Sequence, residues 1–202
     1  PDELKDDLDL KLLLASLYIS SGDLDNSEKV ANEILAENPE NIDALELLSL
    51  TYRAKNDNTN YKSILKQILV VEPYNVSANI IQAEDYALNK KYKLSRDSYR
   101  KALRTEPNNI DALFGYAQTS YYLDDIDSAK TYFETILQID SYHAPALAYM
   151  GKLSAEDMNY LRATKYIQEA IKIHPTNYDY YLDLGDYFRN QGKYSEAIDA
   201  WN

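Results

Sequence analysis

Apolar residues recur along the chain at spacings of three and four, the period of one helix face. Leu14, Ala15 and Tyr18 share such a face, and the same positions return 34 residues later as Leu48, Ser49 and Tyr52. Continued at that step, the middle position is always small: Ala15, Ser49, Ala83, Ala117, Gly151 and Gly185, so that two helices can approach closely there. Around it run Leu14, Leu48, Gln82, Tyr116, Met150 and Leu184 on one side, and Tyr18, Tyr52, Tyr86, Ser120, Ser154 and Phe188 on the other. A second face follows in each period. Its small column is Ser27, Tyr61, Ser95, Ala129, Ala163 and Ala197, followed four residues on by Ala31, Leu65, Tyr99, Phe133, Ile167 and Trp201. Three further on stand Ile34, Ile68, Ala102, Ile136 and Ala170. Two faces per period predict two helices, each of about 14 residues and roughly 21 Å.

The punctuation agrees with that period. Pro39, Pro73 and Pro107 are 34 apart, the next step lands on Ser141, and the one after on Pro175. Asn41-Ile42-Asp43-Ala44-Leu45 is identical to Asn109-Ile110-Asp111-Ala112-Leu113, two periods on. Repeats of 8–41, 42–75, 76–109, 110–143 and 144–177 follow, with a truncated sixth at 178–202, in a single array over 1–202. Short polar turns divide the paired helices at Ser21-Gly22-Asp23, Asn56 to Asn60, Asp124-Asp125 and Asn190-Gln191-Gly192. Gly and Asn there suit a helix stop with left-handed backbone. The second helix ends at the proline column, because the residue before a proline disfavours helix. Neither helix can bury its face alone, so stacked neighbours complete the core.

Small/large alternation, a closing proline and this period resemble the tetratricopeptide repeat (TPR) family, whose pattern is W-x₂-L-G-x₂-Y…A-x₃-F…P. Its best local match is Tyr181-x₂-Leu184-Gly185-x₂-Phe188 followed by Ala197-x₃-Trp201. The resemblance implies an all-α, right-handed superhelical solenoid of antiparallel helix pairs. It also implies a noncatalytic protein–protein interaction scaffold or adaptor, with first helices lining a concave groove for a partner segment. Carried onto this sequence, the groove columns give an apolar and aromatic centre of Ile80, Leu88, Phe114, Tyr121 and Tyr122, rimmed by Glu84, Gln118, Lys152 and Glu156. Aromatic anchors inside a polar rim are how interfaces concentrate binding energy. The Lys/Asn/Arg clamp of chaperone-binding members is lacking, since the corresponding positions are Leu12, Ser16, Glu46 and Leu50. Two alternatives stand beside the scaffold. One is a substrate-recognition or regulatory segment of a larger enzyme. The other is self-association through the open C-terminal end, where the last apolar column stops at Trp201 and further repeats or a neighbour are expected to cover it.

Charge narrows the partner. With 21 basic and 33 acidic residues the formal net charge is −12. Such a surface repels phosphate backbones, and the basic residues are nowhere clustered beyond Lys90, Lys91 and Lys93. The expected partner is a protein or peptide segment, apolar to mildly basic; nucleic acid is not expected, nor is membrane insertion, as no apolar run is long enough. Asp9, Asp43, Asp111 and Asp179 begin first helices, where acids suit the helix dipole. A soluble chain is expected, cytoplasmic or periplasmic; with Pro1 first, a missing leader decides neither.

Candidate chemistry is sparse. There are no cysteines, no glycine-rich phosphate loop, no paired metal spacing and no nucleophile elbow, so no catalytic, metal or cofactor site is expected. His143 and His174 fall in turns and are expected to face solvent. Asn75-Val76-Ser77 matches a glycosylation sequon as a pattern only. Of the 20 tyrosines many fill core columns, whereas Tyr121, Tyr122, Tyr178 and Tyr180 fall outside them. The pattern is weakest from Tyr61 to Gln82. Tyr61 breaks a small column, and Asn79 and Gln82 stand where apolar groups belong, so these amides must be bonded, wet or weakly packed. A soft joint between the second and third repeats is one expectation from that break.

Overall fold

The computed structural model describes residues 2–202, with side chains from Asp7 onward. Among the described residues there are twelve α-helices and no strands. In chain order they are α1 (Asp2–Ser21), α2 (Leu24–Glu37), α3 (Ile42–Ala54), α4 (Asn58–Val71), α5 (Val76–Leu88) and α6 (Tyr92–Thr105). The rest are α7 (Ile110–Tyr122), α8 (Ile126–Ile139), α9 (Ala144–Glu156), α10 (Tyr160–Ile173), α11 (Tyr178–Asn190) and α12 (Tyr194–Trp201). They fall into two compact units, Pro1–Gln82 and Ala83–Asn202, with the division inside α5.

One turn design stops every first helix. Gly22, Asn56, Lys90, Asp124, Met158 and Gly192, each 34 residues from the next, all have positive φ, between 56° and 80°. The residue after each reaches back five positions: Asp23 N–H donates to Tyr18 O at 2.9 Å, and Asp57 to Tyr52, Lys91 to Tyr86, Asp125 to Ser120, Asn159 to Ser154 and Lys193 to Phe188 repeat it. That bond, with a shorter one from the left-handed residue itself, is the Schellman motif, which satisfies carbonyls the helix leaves open. In four turns the next residue also caps the second helix: Asp23, Asp57, Asp125 and Asn159 accept from backbone N–H three positions on. Helix α4 therefore begins at Asn58, inside the stretch whose Asn-rich composition predicts turn to Asn60.

From α3 onward first helices open on a side-chain acceptor, two residues before the predicted Asp43, Asp111 and Asp179, whereas Asp9 lies inside α1. Asn41 and Asn109 accept from Ala44 and Ala112, each Oδ1 about 3 Å from the amide N–H. Asn75 does the same for Ala78 at 3.0 Å while its amide donates to Glu46 and Glu72. At α9 the acceptor is His143, whose Nδ1 takes the Ala146 N–H at 3.1 Å. His143 is half-buried, not solvent-facing, because its ring lies 5.4 Å from that of Phe114.

In the first unit the core is aliphatic: Leu45, Leu48, Ile64, Leu65, Ile68, Ala31 and Ala78 pack together, with Ala15, Val30, Ile34 and Ala44 beside α1. Ser27 and Thr51 exchange a buried hydroxyl hydrogen bond at 2.9 Å. Asn79 is fully buried, and its amide donates to Pro73 O at 3.0 Å and Asn75 O at 2.8 Å, tying the proline turn to α5; its Oδ1 has no partner among the described residues. The two bonds donated by the amide are what let this position hold Asn, and the unpaired oxygen is a cost set against them. Leu14 departs from its column and is exposed, with Leu10, Leu13 and Leu17 on the same side of α1.

The second unit is built on rings and small residues. Phe133 is fully buried and stacks on Tyr149 at 4.8 Å, with Leu113, Ala117, Ala129, Ile136, Ala146, Met150 and Leu153 around them. Towards the C-terminus Ala163, Ile167, Ala170, Leu184 and Tyr187 form the next layer. Tyr180 joins that layer and is buried, although its position lies outside the core columns; Leu147 and Ala148 leave it room against α9. Trp201 covers Gly185 and donates from Nε1 to Leu182 O at 3.3 Å.

Candidate functional site

Six rings of the second unit form a continuous network on α6, α7, α8 and α9. Tyr149 is its hub: Phe133 stacks on it, and Phe114 and Tyr121 meet it edge-on at 5.7 and 5.6 Å. Tyr121 in turn meets Tyr122 edge-on at 5.8 Å, and Tyr122 stacks on Tyr92 at 4.9 Å. Perpendicular and offset rings place positive edges against negative faces, which adds attraction to the area they bury.

Polar tips fix this network. Gln118 Nε2 donates to the Tyr149 hydroxyl at 2.7 Å, and the Tyr122 and Tyr149 hydroxyls lie 3.5 Å apart. Tyr121 donates a short hydrogen bond to Glu156. Burial, then the Glu156 carboxylate, push the Tyr121 phenol above its ordinary pKa. Burial raises Tyr149 likewise. Both hydroxyls therefore remain protonated donors at neutral pH. Lys152 lies 5.6 Å from the Tyr149 ring centroid and 3.7 Å from Asp183, an ammonium shared between a ring and a carboxylate. Asp183 is raised chiefly by burial, which Lys152 opposes.

Beside the network an open cavity of about 550 Å³ is lined by Leu88, Ala87 and Glu84 from α5, Tyr92 and Tyr99 from α6, and Asp111, Phe114, Gly115, Gln118 and Tyr122 from α7. Tyr99 forms its floor. A Cβ on Gly115 would sit 2.0 Å from Tyr99 Cζ, so the ring occupies the space that any other residue at 115 would need. Leu88, 85% exposed, stands at the mouth.

The nine positions named from the groove columns are distributed as follows. Glu84, Leu88, Phe114, Gln118 and Tyr122 share the cavity, and Tyr121, Lys152 and Glu156 lie along the ring network on its Tyr149 side. Ile80 belongs to the first unit and is half-buried there. Phe114 is itself half-buried, against Phe133, His143 and Tyr149, so it supports the surface as well as contributing to it. Tyr149 and Tyr99 are not among the nine. Tyr99 stands in the second-helix core column, and nothing in that column shows that its ring also borders a cavity. Tyr149 lies two residues before Gly151 of the small column, a position the groove columns pass over.

Family models described as tetratricopeptide repeat match residues 8–41, 110–143 and 166–199, together half of the chain. No curated protein matches it in sequence. Among solved structures, a tetratricopeptide repeat protein from Parabacteroides merdae aligns with a TM-score of 0.73 at 17% identity, over 95% of this chain and 76% of that one. PilW, a type IV pilus biogenesis factor, gives 0.71 at 17% identity over 95% and 89%. YrrB, a TPR protein with an unusual peptide-binding site, gives 0.69 at 19% identity over 83% and 86%. At these identities the likeness is one of fold: an all-α helical repeat.

Proposed function

We propose that this chain, which belongs to the tetratricopeptide repeat family, is a noncatalytic protein-binding scaffold that holds a partner segment against the aromatic surface of its second unit. The observation that carries this reading is the open cavity of about 550 Å³ bordered by exposed Leu88 and Tyr122 and backed by rings already locked in place. Ordering flexible side chains is a large part of the cost of association, and rings held by Gln118, Glu156 and one another are ordered beforehand. Tyrosine also offers broad apolar area with a polar tip, the composition of interface anchors. The peptide-binding site of YrrB supports the same use of this fold.

The segment is apolar to mildly basic, because the apolar mouth is accompanied by Glu84 and Asp111. The test is capture of partners by the immobilised chain and by a Leu88→Ser/Tyr122→Ala variant, with bound proteins identified by mass spectrometry. Both residues are at least half exposed, so the variant should stay folded, losing no more than the ring contacts of Tyr122 with Tyr92 and Tyr121. Partners held by the native chain and lost by the folded variant are the expected result. Equal capture by the two would remove this surface from consideration.

A further inference from the structure

The cavity contains two carboxylates and no cation. Glu84 and Asp111 both line it, and neither forms an ion pair among the described residues. Arginines on the adjoining α6 are engaged elsewhere: Arg96 with Asp125 at 2.7 Å and Arg100 with Asp97 at 2.9 Å. Lys152 is held by Asp183 and the Tyr149 ring. Partial burial raises the Glu84 carboxyl, and the like charge of Asp111 adds a smaller push in the same direction. Two acids lining one cavity, with no cation beside them to offset their charge, attract an incoming positive charge.

A second observation is independent of the acids. Tyr99 is only 5% exposed, yet its hydroxyl has no hydrogen-bond partner among the described residues, and it lines the cavity. Burial first, then the charges of Glu84 and Asp111, lift its phenol to about 12, so it keeps its proton and can orient those acids or accept from a donor. The ring is buried but its hydroxyl is bonded to no other side chain among the described residues, so the one polar atom of this side chain is free to meet a donor entering the cavity. The walls complete the picture: Tyr122, stacked on Tyr92, and Phe114 provide π-faces.

We infer that this cavity is the recognition pocket for an arginine side chain of the partner segment, its guanidinium against Glu84 and Asp111 and its plane along the Tyr122 ring. This rests on the reading of the second unit as a protein-binding surface and adds to it the chemistry of one anchoring residue. Arginine suits the site because its planar fork of donors can serve two carboxylates and a phenol oxygen while stacking on a ring. The apolar mouth at Leu88 suits an aliphatic neighbour in the same segment.

The test uses the full chain and two capped tripeptides, Ac-Leu-Arg-Leu-NH₂ and its citrulline counterpart, which has the same shape without the charge. Binding is followed by NMR through the Leu88 methyls and the Gln118 side-chain amide. The arginine peptide should bind about tenfold tighter than the citrulline peptide, the order expected of a charge-assisted pair. Glu84→Gln should reduce that ratio towards one with the melting temperature unchanged. A general attraction to the acidic surface would leave the ratio intact in Glu84→Gln, and so would overturn the assignment. Equal affinity of the two peptides for the native chain would also overturn it, while leaving the protein-binding reading in place. That broader reading fails separately, when the Leu88/Tyr122 variant captures partners as well as the native chain.

Discussion

The first unit fills its core with branched aliphatic side chains, and the second fills the same kind of helical layer with rings. Leu45, Leu48, Ile64, Leu65 and Ile68 make the one; Phe133, Tyr149, Tyr99 and Tyr187 dominate the other. The difference is matched by glycine. In the first unit the one glycine, Gly22, lies in a turn, whereas helices of the second contain Gly115, Gly151 and Gly185. Tyr99 lies over Gly115, Trp201 over Gly185, and Tyr166 and Tyr187 against Gly151. At Gly115 and Gly185 the ring takes the space a side chain would need, since interiors are packed to near-crystalline density, whereas Phe133 is accommodated by stacking flat on Tyr149. Rings then bring polar tips and flat faces to the surface, which aliphatic packing cannot, and the candidate site lies where those tips converge.

The comparison breaks most visibly at Phe133. Phe133→Ala should destabilise the second unit by about 3–5 kcal/mol, the range for a large aromatic removed from a closed core. Urea unfolding followed by circular dichroism measures it, and a loss below ~1 kcal/mol would mean that the ring layer is not the core. Next in size is Gly115→Ala, expected to cost about 1–3 kcal/mol through overpacking against buried Tyr99. Replacing Tyr99 by Leu in the same chain should recover part of that loss. Independent, additive effects would show that the two positions do not share one space.

His143 gives a smaller, pH-dependent effect. Burial holds its pKa below the ordinary 6.5, against the weaker opposing pull of Asp140 and Asp111, and the neutral ring is also the form whose Nδ1 can accept the Ala146 N–H. The sign follows: the contribution is complete above about pH 6.5 and is lost as pH falls through the lower folded value, because the unfolded chain binds the proton more readily. A melting series from about pH 7 to about pH 5 should show this decline. His143→Asn keeps a capping acceptor and should flatten it; an unchanged slope would assign the decline to carboxylates instead. Smallest is Met158→Gly, expected to stabilise by about 1 kcal/mol, since a side chain at left-handed backbone is replaced by none. A destabilised variant would show that the exposed methionine contributes contacts of its own.

Much of the fold was legible because helical period and residue size are properties of the sequence. The second small column is buried at Ser27, Ser95, Ala129, Ala163 and Ala197, and the column closing each second helix at Ile34, Ile68, Ala102, Ile136 and Ala170. Left-handed turn residues were legible at Gly22, Asn56 and Gly192, where residue type reports backbone preference. Asp124 was legible as part of a polar turn, whereas Lys90 and Met158 adopt the same conformation with side chains that do not ask for it; only the period marks those two. The capping role of His143 was hidden because its four counterparts at that step are asparagines, and a lone histidine does not announce an acceptor. Ring-to-ring contact was the least legible feature. Tyr149 becomes a hub through the angle at which α7, α8 and α9 meet, and no spacing along the chain encodes an interplanar angle.

The six left-handed turns have a practical consequence. Each is closed by main-chain bonds alone, so the side chain at its apex is surplus to the architecture. In the second unit Lys90, Asp124 and Met158 are exposed at equal intervals of sequence. A cysteine-free chain makes each of them an address at which a single thiol can carry a spin label or fluorophore. The repeat is thus graduated like a scale, and distances between its marks can be read in solution with and without a bound segment.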